Sequence, residues 1–119
     1  MDISEILLHF LPPEIVDNFD IVEIGESETD SGMALTIHLD EKHIYPNGYS
    51  MESVESKGFI KATSISDFPI RGKSVCLLIR RRKWIDKVTG RSVSRSYVHL
   101  KHPGTNYTTE FARFFKDTS

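Results

Sequence analysis

The sequence contains very little cysteine, and it lacks long apolar runs. The single cysteine, Cys76, excludes an internal disulfide and a zinc site built from several cysteines. No apolar run approaches the roughly 20 residues that a membrane helix needs. The stretch from Ile6 to Leu11 is too short for a signal sequence and has no cationic segment before it. These features predict a cytoplasmic protein with no membrane partner.

Basic residues are nearly missing from the first half of the chain, although the net formal charge is only −2. Residues 1–56 contain thirteen acids and one cation, Lys42, whereas residues 57–101 contain twelve cations and two acids, Asp67 and Asp86. The formal charges of these two segments are therefore −12 and +10. Such asymmetry is typical of proteins that bind polyanions. The two halves could also neutralise each other within the fold.

The length of 119 residues predicts a single domain, 1–119, with a modest core, because 39% of the residues are hydrophobic and 10% aromatic. We expect three parts within it. They are an acidic half with helices and a hairpin (1–56), a basic β-ribbon half (57–101) and a C-terminal helix (102–119).

The stretch from Val75 to Trp84 begins with apolar, strand-forming residues and continues into four consecutive cations. An unpaired guanidinium is costly to desolvate, so we expect this strand to emerge from the core as a basic edge. If the strand stays extended, Arg80 and Arg82 lie on one face and Arg81 and Lys83 on the other. The edge could bind phosphates, or its charges could only prevent edge-to-edge pairing of sheets.

The other patterns predict an α+β fold with antiparallel β-hairpins, an N-terminal helical segment and a C-terminal helix. The predicted segments are helices from Ser4 and Pro13, a hairpin of Asp20–Gly25 with Met33–Leu39, a strand Phe59–Ile65, a turn Asp67–Gly72, a hairpin of Val75–Trp84 with Ser92–Leu100, and a helix from Thr108 carrying Phe111, Phe114 and Phe115.

Histidines and acids show no metal-binding pattern. His38 with His43, and His99 with His102, form pairs without a third convergent ligand. The acidic loop 26–32 lacks the spaced ligands and fixed glycine of a calcium loop. We therefore predict neither a metal nor a cofactor.

Several short motifs occur in an order that resembles one protein family. They are Glu55–Phe59, Asp67–Lys73, Arg80–Trp84, Thr89-Gly90 with Val93–Arg95, and Gly104–Thr108 with Glu110–Ala112. Over residues 5–117, their order and spacing are similar to the N-terminal region protein of a bacterial insertion-sequence transposase. The resemblance implies a module that binds double-stranded DNA at the terminal repeats of a mobile genetic element, in DNA transposition and recombination.

A more distant resemblance is to the zinc ribbon that begins many insertion-sequence transposases. An aspartate–proline turn, a strand and paired arginines follow that outline at Asp67, Pro69, Val75, Leu77 and Arg81-Arg82. The zinc-binding cysteines are missing, and Trp84 stands where ligands are expected. The resemblance implies a degenerate zinc-ribbon-like β unit in which side-chain packing replaces the metal.

The predicted function is DNA binding without catalysis. The residues expected to contact DNA are Arg80, Arg81, Arg82, Lys83, Trp84, Arg91 and Arg95, with Trp84 as a stacking or anchoring side chain. The catalytic part of such transposases carries three spaced metal-binding acids, whereas the acids here cluster in helices and a loop tip. We therefore predict that the protein is not an enzyme.

Two alternatives remain at this point. The chain could be an accessory module that docks onto a separately encoded catalytic transposase subunit through its acidic half. A small RNA-processing enzyme is a more distant alternative. Salt-dependent binding of DNA distinguishes the first alternative from the DNA-binding function.

Overall fold

The computed structural model describes residues 3–97, 105–109 and 111–113. In this part of the chain, two short helices precede seven strands. The helices are α1 (Ile3–Leu8) and α2 (Pro13–Asn18). The strands are β1 (Phe19–Thr29), β2 (Gly32–Glu41), β3 (Val54–Phe59), β4 (Thr63–Ile70), β5 (Lys73–Arg80), β6 (Arg82–Asp86) and β7 (Ser92–Val93). The predicted α+β class is confirmed.

Two prolines separate the helices. Pro12 has an extended backbone (φ −56°, ψ 142°), and Pro13 is the first residue of α2, where a missing N–H breaks no helical hydrogen bond. The side-chain amide of Asn18, the last residue of α2, donates to the Glu14 carbonyl at 2.8 Å. The predicted N-terminal helical segment is thus present as two helices of six residues each.

The first sheet has the strand order β1-β2-β5-β4. β1 and β2 form the predicted antiparallel hairpin, which turns at Asp30 and Ser31. β5 pairs antiparallel with β4 and parallel with β2, so that Leu35 lies opposite Val75. The parallel pair differs from the predicted antiparallel hairpins. It is possible because the chain between β2 and β5 is long enough to cross over.

One face of the first sheet carries the core. Alternate residues of β2, β4 and β5 point to this face, and α1 and α2 contribute further apolar side chains to the same cluster. Its buried members are Leu7, Leu11, Ile15, Phe19, Ile37, Leu39, Ile65, Val75, Leu77 and Ile79. The helices therefore cover the inner face of the sheet that leads into the basic stretch.

The second sheet is antiparallel, with the strand order β3-β6-β7. β5 ends at Arg80 and β6 begins at Arg82, so the chain passes from one sheet to the other through Arg81. The backbone N–H of Arg82 donates to the Glu41 carboxylate at 2.8 Å. The predicted single strand from Val75 to Trp84 is therefore two strands. Next to the break, the Glu41 side chain supplies the hydrogen-bond acceptor for the Arg82 backbone N–H.

Three other boundaries differ from the prediction. The expected strand Phe59–Ile65 is divided, because β3 ends at Phe59 and β4 begins at Thr63. The expected turn Asp67–Gly72 is mostly strand, and the chain turns at Arg71 and Gly72, whose φ values are 53° and 79°. β7 pairs with β6 through two residues, and residues 98–100 of the expected strand Ser92–Leu100 lie outside the described residues.

The C-terminal helix begins where it was predicted. Thr109 and residues 111–113 are helical, and the Thr108 hydroxyl accepts from the Phe111 N–H at 3.4 Å. The same hydroxyl donates to the Asp67 carboxylate of β4 at 2.8 Å. Phe111 is buried, whereas Phe114 and Phe115 lie outside the described residues. No helix within residues 3–97, 105–109 and 111–113 has the length and apolar character to span a membrane.

Candidate nucleic-acid interface

The residues predicted to contact DNA lie at and beside the passage between the two sheets. We call residues 80–84 the junction. Its members, and the two cations near β7, have different surroundings: Trp84 is buried, Arg81, Arg82 and Arg95 are half-buried, and Arg80, Lys83 and Arg91 are exposed. The structure therefore does not present them as one uniform basic surface.

Trp84 is 0% exposed. Its ring centroid lies 5.0 Å from that of His43 and 5.2 Å from that of Tyr45. Its indole N–H has no hydrogen-bond partner in the described part of the chain. This burial corrects the predicted stacking role, because no ring face is open to a base. Trp84 lies in β6 of the second sheet, so its burial does not follow from the pattern of buried residues along β5.

Glu41 is the carboxylate around which the buried groups of the junction are arranged. We call these groups the inner side of the junction, and its exposed groups, Arg80 and Lys83, the outer side. Glu41 is 1% exposed. One carboxylate oxygen accepts from the Arg82 N–H, and the other accepts from the Tyr97 hydroxyl. The Glu41 carbonyl also accepts from Arg82 Nε at 3.0 Å. A buried carboxylate is tolerated when its oxygens are hydrogen-bonded in this way.

Tyr97 connects residues 95–97 to the same carboxylate. Arg95 Nη1 donates to the Tyr97 oxygen at 3.1 Å, and Arg81 donates to the Arg95 carbonyl. The guanidinium carbons of Arg81 and Arg95 lie 5.3 and 5.4 Å from the Tyr97 ring centroid. Burial and the neighbouring Glu41 raise the pKa of Tyr97, so the phenol remains a neutral donor. Arg81 and Arg95 thus have partners inside the protein.

Arg80 forms an ion pair with Asp40 on the neighbouring strand β2. Arg80 Nε and Nη2 donate to the two carboxylate oxygens at 2.7 and 2.6 Å. The side chains are 48% and 17% exposed, respectively. The hydrogen bond from Arg80 holds the pKa of Asp40 below its usual value, despite partial burial of the carboxyl. Arg80 Nη1 does not take part in this bidentate contact.

Phe59, the last residue of β3, contacts two of the arginines. Its ring centroid is 4.3 Å from the guanidinium carbon of Arg80 and 4.9 Å from that of Arg82. The side chains of Arg80 and Arg82 therefore lie on the same face of the extended chain, as their spacing predicts. Contact with an aromatic face stabilises cations without neutralising them.

Lys83 and Arg91 are exposed, and neither side chain has an ionic or hydrogen-bond partner among the described residues. Lys83 borders a cavity of about 370 Å³. The residues that line this cavity are Phe59, Ile60, Lys83, Ser92, Val93 and Ser94. A cation that the fold does not pair is available to an anionic ligand.

Pairing within the fold removes only part of the positive charge at the junction. The cations of the junction are Arg80, Arg81, Arg82 and Lys83, with Arg95 beside them; the Asp40 carboxylate pairs with Arg80, and the Glu41 carboxylate accepts from the Arg82 backbone N–H. Five cations against two carboxylates leave an excess of three positive charges. The halves of the chain therefore neutralise each other in part.

Sequence reasoning missed the protein partners of these cations. They are Asp40, Glu41, Phe59 and Tyr97. Glu41 could have been found, because Leu35, Ile37 and Leu39 alternate along β2 and position 41 continues their inward face. The pairing of Asp40 with Arg80 depends on the parallel contact of β2 with β5, which no local pattern indicates.

Metal ligands do not converge in the described residues, where no three His, Cys, Asp or Glu side chains are placed to hold an ion. The ring of His43 packs against the rings of Trp84 and Tyr45. His99 and His102 lie outside the described residues.

Comparisons with protein-family models, with curated proteins and with solved structures find no match to this chain.

Proposed function

We propose that the chain is a non-catalytic DNA-binding module, of the kind found in the N-terminal region of insertion-sequence transposases. It binds double-stranded DNA at the element's terminal repeats through the outer side of the junction. The observation that carries this proposal is the exposed Lys83, which follows three arginines in the sequence and has no ionic or hydrogen-bond partner among the described residues. A cytoplasmic location belongs to the same proposal, since bacterial DNA lies there.

The fold supports this function by supplying a rigid base for the charge. Arg81, Arg82 and Arg95 are held by internal hydrogen bonds, so they contribute to the electrostatic field more than to direct contact. Lys83, Arg91 and Arg80 Nη1, which have no hydrogen-bond partner among the described residues, are the groups available to phosphates. Phosphate contacts of this kind provide affinity and position, and they carry no sequence information by themselves.

Salt dependence of duplex binding tests the proposal. The logarithm of the association constant should fall linearly with the logarithm of salt concentration, with a slope of about −0.9 for each phosphate neutralised. Lys83→Gln should reduce that slope by about 0.9. Arg71→Gln is the matched control, because it removes one exposed cation at the opposite end of β5 and should leave the slope unchanged.

The measurement uses a terminal-repeat duplex and a scrambled duplex, with folding checked by circular dichroism. Equal slopes for wild type and Lys83→Gln, with both proteins folded and bound, would place DNA elsewhere on the chain. Failure of the wild type to bind either duplex at low salt would refute the DNA-binding function.

A second candidate function is docking onto a separate catalytic transposase subunit. The β1–β2 hairpin favours it, because Glu23, Glu28 and Asp30 are exposed there beside the exposed apolar side chains of Val22 and Met33. Replacing these three acids by Gln and Asn should then abolish co-purification with that subunit and leave duplex binding intact. Unchanged co-purification would refute docking through this hairpin.

A further inference from the structure

The cavity beside Lys83 has the composition of a phosphate site. We call it the outer notch, and it comprises Phe59, Ile60, Lys83, Ser92, Val93 and Ser94. Lys83, Ser92 and Ser94 are exposed, and Ile60 is 45% exposed. None of the residues that line the notch is acidic.

Strand alternation brings the polar groups of the notch together. β6 and β7 are antiparallel neighbours, with Trp84 opposite Val93 and Ile85 opposite Ser92. Side chains alternate between faces along each strand, so Ser92 and Ser94 lie on the face opposite to that of Trp84. Lys83, adjacent to Trp84, shares their face. The burial of Trp84 therefore turns one lysine and two serines outward together.

The three groups match a tetrahedral anion. A lysine ammonium supplies three donors and a fixed positive charge, and each serine hydroxyl supplies one donor. The exposed side chain of Ile60 offers an apolar surface beside them. Arg80 and Arg82 contact the ring of Phe59, which lines the notch, and add positive charge near it. No carboxylate lines the notch to offset this charge.

We propose that the outer notch holds one phosphodiester group of the DNA backbone. Lys83 Nζ and the hydroxyls of Ser92 and Ser94 donate to its unesterified oxygens, and the adjoining deoxyribose packs against Ile60. This inference rests on the proposed function and names a contact within it. It assigns a role to two serines that carry no charge and lie outside the basic stretch.

The test separates the hydroxyls from the charge. Ser92→Ala with Ser94→Ala removes two donors and should weaken duplex binding about tenfold without changing the salt slope, since hydroxyls release no counterions. Lys83→Gln should weaken binding about eightfold at 0.1 M salt and reduce the slope by about 0.9. Ser27→Ala with Ser74→Ala is the matched control, because both serines are exposed on the first sheet.

A combined variant shows whether the groups share one phosphate. In the Lys83→Gln background, loss of the two hydroxyls should cost less than about threefold, because the phosphate is already released. Independent, fully additive losses would overturn the shared site. A serine double variant that binds as tightly as wild type would also overturn it, while duplex binding by the wild type would leave the proposed function standing.

Inorganic phosphate serves as the second probe. At constant ionic strength, millimolar phosphate should not displace a duplex held by several backbone contacts. Displacement that is lost in the serine double variant would instead show a site for free phosphate, and the assignment to a phosphodiester would be wrong.

Discussion

The inner and outer sides of the junction differ in what surrounds their cations. On the inner side, Glu41 is buried and accepts hydrogen bonds from Arg82 and Tyr97. On the outer side, Asp40 pairs with an exposed arginine, and Lys83 has no partner in the part of the chain described. A run of four cations is therefore not one surface, because each position is used according to the face that its strand presents.

This difference has an energetic meaning. A buried group whose partner is removed keeps its desolvation cost, whereas an exposed group recovers hydration. We therefore expect changes on the inner side to alter the free energy of unfolding and changes on the outer side to alter binding. Three predictions examine that division, beginning with the largest expected effect.

Trp84→Ala should lower the free energy of unfolding by about 4 kcal/mol, because it leaves a large cavity in a fully buried site. Trp84→Phe retains an aromatic ring against His43 and Tyr45 and also removes the unpaired indole N–H. Its loss should stay within about 1.5 kcal/mol. Urea unfolding followed by circular dichroism measures both, since the chain has one tryptophan and its fluorescence is lost.

The contrary result for this prediction is also clear. If Trp84→Ala unfolds at nearly the wild-type urea concentration but binds DNA more weakly, Trp84 is a surface residue that contacts DNA. The burial of its ring would then be wrong, and the stacking role suggested by its place after four cations would be restored.

Part of this arrangement could be predicted from the sequence. Alternation around Ile37 and Leu39, with a polar loop before Met33, is a local signal and predicts the first hairpin. The prolines after α1 and Thr108 before the last helix are likewise local signals. The partners of β5 are not local, because its pairing with β2 joins residues about 40 positions apart in the sequence.

The predicted orientation of the DNA-binding stretch depended on Trp84. The stacking role of Trp84 was predicted from its place after four consecutive cations, and the alternation of Val75, Leu77 and Ile79 likewise places position 84 on the opposite face. β6 belongs to another sheet, and there His43 and Tyr45 cover the face that carries Trp84, so Trp84 is buried. The predicted hairpin paired this stretch with Ser92–Leu100 but did not set its register, and the register of β7 with β6 is what places Ser92 and Ser94 on the face of Lys83.

Glu41→Ala should lower the free energy of unfolding by about 3 kcal/mol, because it leaves the Arg82 N–H and the Tyr97 hydroxyl without their acceptor. Glu41→Gln retains one acceptor oxygen and should cost less. Glu28→Ala is the matched control, since it removes an exposed acid from the same hairpin and should change stability by less than about 0.5 kcal/mol. Equal losses for Glu41→Ala and Glu28→Ala in urea unfolding would contradict a buried, bonded Glu41.

The smallest expected effect concerns the partly exposed pair of Asp40 and Arg80. Asp40→Asn should lower the free energy of unfolding by less than about 1 kcal/mol at neutral pH, and added salt should reduce the difference. The loss should depend on pH because Arg80 lowers the pKa of folded Asp40. A lowered pKa stabilises the folded state fully above the unfolded value of about 3.9, and that stabilisation disappears as pH falls through the lowered folded value.

Comparing wild type with Asp40→Asn across pH isolates this contribution from other carboxyls. Burial raises the pKa of Asp67, so its effect on stability has the opposite sign, but both proteins contain it and it cancels in the difference. The difference should be constant from pH 7 to about pH 5 and shrink at lower pH. A difference that stays constant down to about pH 2 would mean that the ionised Asp40 carboxylate is not stabilised by Arg80, and the division between the two sides of the junction would then rest on burial alone.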